Sequence, residues 1–97
     1  MKKTTFFILI NMKTTTGYIS FGKFFIGNNK SLAYSLFNQL EGNTEVDEKD
    51  VLTMELMETL NQLPLNLNII SCSLDQLAHN CSYITKETFK AIKLEEL

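Results

Sequence analysis

Val51-Leu52-Thr53-Met54-Glu55-Leu56-Met57-Glu58-Thr59-Leu60-Asn61-Gln62-Leu63-Pro64 admits two readings, and the choice between them decides the fold. As a helix, the stretch would be capped by Asp47 and would align Leu52, Leu56, Leu60 and Leu63 on one side. Its Met, Glu and Leu residues are all good helix formers. As a strand, Leu52, Met54 and Leu56 alternate with Thr53 and Glu55, the pattern of a half-buried sheet element. The rest of the chain breaks the tie. Residues 6–40 read as apolar strand, Thr/Gly turn, apolar strand, Asn break and amphipathic helix. Residues 51–85 repeat that order 45 residues later, with Met12 over Met57, Thr14 over Thr59, Leu32 over Leu77 and Ala33 over Ala78. Those four identities are too few to carry the repeat alone; the order of elements carries it. The stretch is therefore expected as a strand, with Asn61-Gln62-Leu63-Pro64 as the turn that ends it.

Two ββα units build one architecture, a four-stranded antiparallel sheet in the order ββαββα with both helices on one face, an α+β fold. The 97 residues suit a single domain over 1–97, made of a ββα unit at 5–42, an acidic connector at 43–50 and a second unit at 51–93. The first strand, 5–13, directs Phe6, Ile8, Ile10 and Met12 to one side and Phe7, Leu9 and Asn11 to the other. Apolar residues on both sides mark a strand covered on both faces. In the second strand, 18–27, Ile19 and Phe21 share one parity while Phe24 and Ile26 share the other, so a bulge is expected at Gly22. Asn28 or Asn29 caps a helix over 30–41 whose Leu32, Ala33, Leu36, Phe37 and Leu40 form one stripe, with Gly42 as its left-handed stop. Ser73-Leu74-Asp75-Gln76 is a capping box for a long last helix.

Charge is uneven. Residues 1–40 carry five lysines and no acid, residues 41–58 carry seven acids and one lysine, and the remainder carries four acids and three lysines, for a net −2. The acidic stretch reads as a solvated connector. Arginine and tryptophan are both missing, and an acidic chain without arginine is poorly equipped to grip phosphate or read guanine, so nucleic acid is not an expected partner. The apolar run near the start spans only Phe6 to Ile10 and no cleavage site follows it, so it reads as a buried strand in place of a signal segment. No run approaches a membrane span. A cytoplasmic location is expected.

Chemical motifs are sparse. Gly17-x4-Gly22-Lys23 resembles a phosphate loop, but Phe24 stands where a hydroxyl must hold Mg²⁺, and the segment lies within a strand. Cys72, His79 and Cys81 fall short of the four closely paired ligands of structural zinc, and on a helix His79 and Cys81 face apart. The two cysteines are expected as free thiols, with Cys81 a small core residue. Glu55 and Glu58 have no histidine or lysine beside them for acid–base work. No catalytic residue, metal or cofactor is expected.

Two functions from different classes remain. The leading one is a small non-enzymatic interaction module that self-associates as a homodimer, with a protein partner as a further prospect. Its interface would lie on the sheet face left open by the helices, at Phe7 and Leu9 with Phe24 and Ile26, or Phe25, according to where the bulge falls. The alternative is a small-ligand binder or minor enzyme with a pocket between sheet and helices, lined by Tyr34, His79 or Tyr83.

Overall fold

Leu52–Leu60 is extended and hydrogen-bonded on both sides, which settles the ambiguous stretch as a central strand. In the computed structural model, which describes residues 4–95, the elements are β1 (Thr4–Thr14), β2 (Gly17–Gly27), α1 (Lys30–Asn38), β3 (Leu52–Leu60), β4 (Leu63–Ser71) and α2 (Leu74–Glu95). The strands form one open antiparallel sheet in the spatial order β2-β1-β3-β4. In the pairing of β1 with β3, Ile8 stands opposite Leu56 and Ile10 opposite Met54. These four side chains are buried, and with Phe6, Ile26 and Ile70 they form the sheet's half of the core. Ala33, Leu36 and Phe37 of α1 and Leu77 and Ile84 of α2 supply the other half. A helix at 52–60 would leave the β1 edge unpaired and Met54 without this layer, so tertiary pairing overrides helix propensity here.

Both hairpins turn in two residues. Asn61 and Gln62 take φ of 53° and 70°, the paired positive values of a type I′ turn. The turn is shorter than the four residues expected, and Pro64 falls inside β4, where an edge strand tolerates it. Each hairpin also carries a bulge four residues into its second strand. Ile10 and Asn11 face Gly22 and Ser20, leaving Phe21 as the extra residue, and Leu56 and Met57 face Asn68 and Asn66, leaving Leu67. Thr15 and Asn61 are 46 residues apart, as are Phe21 and Leu67, while Lys30 and Leu74, which start the two helices, are 44 apart. The repeat is one of architecture, and no single 45-residue offset describes it.

The helices are capped as the sequence implies. The Asn29 side-chain oxygen accepts from Leu32 N–H at 3.1 Å. Ser73 and Gln76 exchange reciprocal bonds of 2.9 and 3.1 Å. The end of α1 differs from expectation: it stops at Asn38, and Gly42 is not its left-handed cap. Gly42 is small for another reason. A Cβ there would lie 2.7 Å from the carbonyl oxygen of Ser71, because Asn43 and Ser71 exchange backbone bonds of 2.8 and 2.9 Å. That bridge tucks the start of the acidic connector against the end of β4.

Candidate functional site: the open face and edge of the sheet

Strand parity divides the side chains between a helix face and an open face. On the open face β1 places Thr5, Phe7, Leu9 and Asn11. Opposite them stand Phe25, Lys23 and Ser20 of β2 on one side and Thr59, Met57, Glu55 and Thr53 of β3 on the other. Phe24 pairs with Ile8 and so turns to the helices, and a second bulge, at Ile26 between Phe25 and Gly27, turns Ile26 to them as well. This corrects the expected interface set. Phe7 and Leu9 lie on the open face, whereas Phe24 and Ile26 pack into the core and Phe25 takes their place, 65% exposed. The bulge lies at Phe21, beside Gly22, and the residue it adds to β2 sets Phe25 in place of Phe24 opposite Phe7.

A chain of polar contacts crosses this face and takes one residue from each strand. Ser20 Oγ donates to Asn11 Oδ1 at 2.6 Å, and Asn11 Nδ2 donates to Glu55 Oε1 at 2.5 Å. The other oxygen of Glu55, Oε2, accepts from Asn66 Nδ2. Asn11 is only 5% exposed, so its amide is committed to this belt. Glu55 makes no ion pair among the described residues, so its charge is met by neutral amide donors alone.

Beside the belt, the acidic connector folds over one end of the open face. Lys13 Nζ donates to the Glu48 carbonyl, Tyr18 Oη donates to the Asp50 carbonyl, and Lys13 N–H donates to Val51 O at 2.7 Å. The connector braces itself by side-chain turns, with Asp47 N–H on Asp50 Oδ2 at 2.7 Å and Lys49 N–H on Asp47 Oδ1 at 3.0 Å. Between connector and sheet lies a cleft of 360 Å³ lined by Asn11, Tyr18, Ser20, Val46, Asp47, Glu48, Thr53, Glu55 and Ile69. It opens on the face away from the helices. A smaller cleft of 160 Å³ lies where the end of β2 meets both helices, among Ile26, Asn29, Leu32 and Thr88, and no titratable group lines it.

The expected pocket residues do not line either cleft. Tyr34 and Tyr83 pack against the core, and exposed His79 sits with Nε2 at 3.5 Å from Glu41 Oε2. Cys72 and Cys81 are free and half-buried, and burial pushes both thiols above their ordinary pKa. Among the described residues no three His, Cys, Asp or Glu side chains gather as a metal ion would require, and no helix is long and apolar enough to cross a membrane.

The two edges of the sheet differ. At β4, Asn43 bridges Ser71 at one end and Pro64 removes a donor at the other. At β2, no backbone pairs with the outer side among the described residues, and Tyr18, Ile19, Phe21 and Phe25 are exposed along it. The only charge on β2, Lys23, leans inward with Nζ 4.3 Å from the centroid of the Phe7 ring. No protein-family model matches the chain, and no curated protein or solved structure matches it significantly.

Proposed function

We propose that the protein is a small, non-enzymatic, cytoplasmic interaction module that works as a homodimer, its copies joined along the outer edge of β2 and the aromatic side chains beside it. The observation that carries the reading is the outer edge of β2: an 11-residue strand, unpaired outside among the described residues, with four large apolar side chains exposed. An unpaired strand edge is a template for another strand, and proteins that remain monomeric blunt it with proline, inward charge or a covering loop. This chain blunts β4 with Pro64 and the Asn43 bridge; β2 carries two bulges and the inward Lys23 but no proline, and among the described residues no backbone pairs with its outer side. An identical strand brought up antiparallel about a twofold axis satisfies the edge and closes the assembly at two copies. The connector covers the Tyr18 end of the open face, which leaves Ile19, Phe21 and Phe25 as the exposed apolar side chains farther along β2. Lys13 and Lys23, the lysines of the first hairpin, both contact partners within the chain, which weakens the case for a phosphate backbone as ligand.

Light scattering on a sizing column tests this reading. The expected mass at micromolar concentration is twice the 11.1 kDa of the chain. Ile19→Lys, at an exposed position on the edge, should return it to the single-chain mass without unfolding. A wild-type mass of one chain would defeat the dimer and favour an extended segment of another protein as the strand that fits β2.

A further inference from the structure

We infer that the cleft between the acidic connector and the polar belt binds a small aliphatic primary ammonium, its nitrogen held by Glu55 and Thr53 and its carbon chain laid along Val46, Ile69 and the Tyr18 ring. The cleft's 360 Å³ is at the lower end of the range for small-molecule sites, so the ligand is small. Its charge is one-sided. Glu55, Asp47 and Glu48 line it, no cationic side chain does, and Lys13 is turned to the Glu48 carbonyl.

The independent observation is Thr53. It is 2% exposed, and its hydroxyl has no hydrogen-bond partner among the described residues. Among those residues no side-chain nitrogen or oxygen is sealed off without a partner, so the Thr53 oxygen is open to the cleft that it lines. A nearly buried hydroxyl without a partner is uncommon, since such groups cost about 1–3 kcal/mol when left unmatched. It stands in the β3 strand two residues from Glu55, on the same face.

Donor and acceptor counts agree. Each Glu55 oxygen accepts one amide hydrogen, from Asn11 or Asn66, which leaves each with capacity for one more donor. An ammonium offers three donors and no acceptor, so Glu55 and Thr53 match two of them and Ser20 or water takes the third. An anion would meet three carboxylates, and a metal ion would lack the gathered ligands that it needs. The belt holds the Glu55 carboxylate in place before a ligand arrives, which lowers the cost of ordering it on binding.

Amide proton–nitrogen correlation spectra of the 97-residue chain, titrated with n-butylammonium chloride, test the inference. Saturable shifts confined to Asn11, Ser20, Val46, Thr53, Glu55 and Ile69 are expected at millimolar ligand, with none from n-butanol or sodium butyrate. Glu55→Gln should weaken binding by about tenfold or more, the scale of a lost charged hydrogen bond. Thr53→Val, which keeps the shape and removes the hydroxyl, should weaken it several-fold and decides the matter if Glu55→Gln disturbs the belt. Shifts that fail to saturate, that n-butanol reproduces, or that survive Thr53→Val unchanged would overturn the assignment.

Discussion

The side-chain amide of Asn80 grips the main chain of Glu41 at both of its polar groups, accepting from Glu41 N–H at 2.8 Å and donating to Glu41 C=O at 2.7 Å. Asn80 is fully buried on α2, and Glu41 lies in the segment between α1 and the connector, so one residue ties the two halves of the chain together. Its amide also lies 3.5 Å from Met54 Sδ and 3.6 Å from Cys72 Sγ. Asn80→Ala leaves both Glu41 groups without partners and should lower stability by about 2–4 kcal/mol, read as a drop in urea midpoint at unchanged slope. A loss below about 0.5 kcal/mol would mean that water replaces the amide at little cost.

Gly42→Ala should destabilise through backbone collision, since the new Cβ would sit 2.7 Å from Ser71 O and cannot rotate away. The expected loss is about 1–3 kcal/mol, with the connector released from β4. Faster amide exchange at Asn43 and Ser71 is the matching local signature. Retention of the wild-type melting temperature would refute the close approach.

Gln62→Gly should stabilise the protein. Gln62 holds φ at 70°, a conformation that strains a residue with a Cβ and suits glycine, and Asn-Gly is the favoured type I′ pair. A gain of about 0.5–1 kcal/mol in denaturant titrations is expected, the strain relief outweighing the added freedom of the unfolded chain. A loss would show that the turn is held elsewhere.

Cys72 and Cys81 should react slowly with a thiol reagent in the folded protein. Desolvation raises both pKa values from the ordinary 9.0; at Cys72 the Asn80 contact opposes that rise and repulsion from Cys81 adds to it. The thiolate fraction near neutral pH is therefore smaller than in the unfolded chain. Because the folded pKa lies above the unfolded one, these thiols do not lower stability below the unfolded pKa. Stability then falls as pH rises through the folded pKa, where the native state must ionise a half-buried sulfur. Reaction rates measured against pH should rise later in the native protein than in urea; superimposed profiles would contradict the burial.

How much of this was legible in the sequence follows from which interactions are local. The capping box at Ser73, the Asn29 cap and the alternation of β1 depend on neighbours a few residues away, and all three are found. The ambiguous stretch at 51–63 was settled by its likeness to the first half, since Leu52, Leu56 and Leu60 fit a helix as well as a strand. Non-local approaches were not legible. Gly42 resembles a helix stop, and only the distant Ser71 explains it. The faces of β2 also depend on pairing with a distant strand: without the extra residue at Phe21, Phe24 and not Phe25 would stand opposite Phe7 on the open face. The connector looked merely solvated because Val46 is its one apolar residue, yet it is held over one end of the open face through two carbonyls, at Glu48 and Asp50, that carry no sequence signature. Asn11, Glu55 and Asn66 gave no warning of their belt, because what joins them is sheet register.

The central claim, that β2 pairs with a second copy along its outer edge, is tested most directly by amide hydrogen exchange of β2 as a function of protein concentration. The amides of Gly17–Gly27 that are not bonded to β1 have no backbone partner among the described residues and should exchange almost as fast as those of the Thr15-Thr16 turn. Paired with another β2, they are protected at high concentration and lose that protection on dilution, and Ile19→Lys abolishes it at every concentration. Exchange of those amides at turn-like rates, unchanged up to the highest concentration reached, would contradict the account.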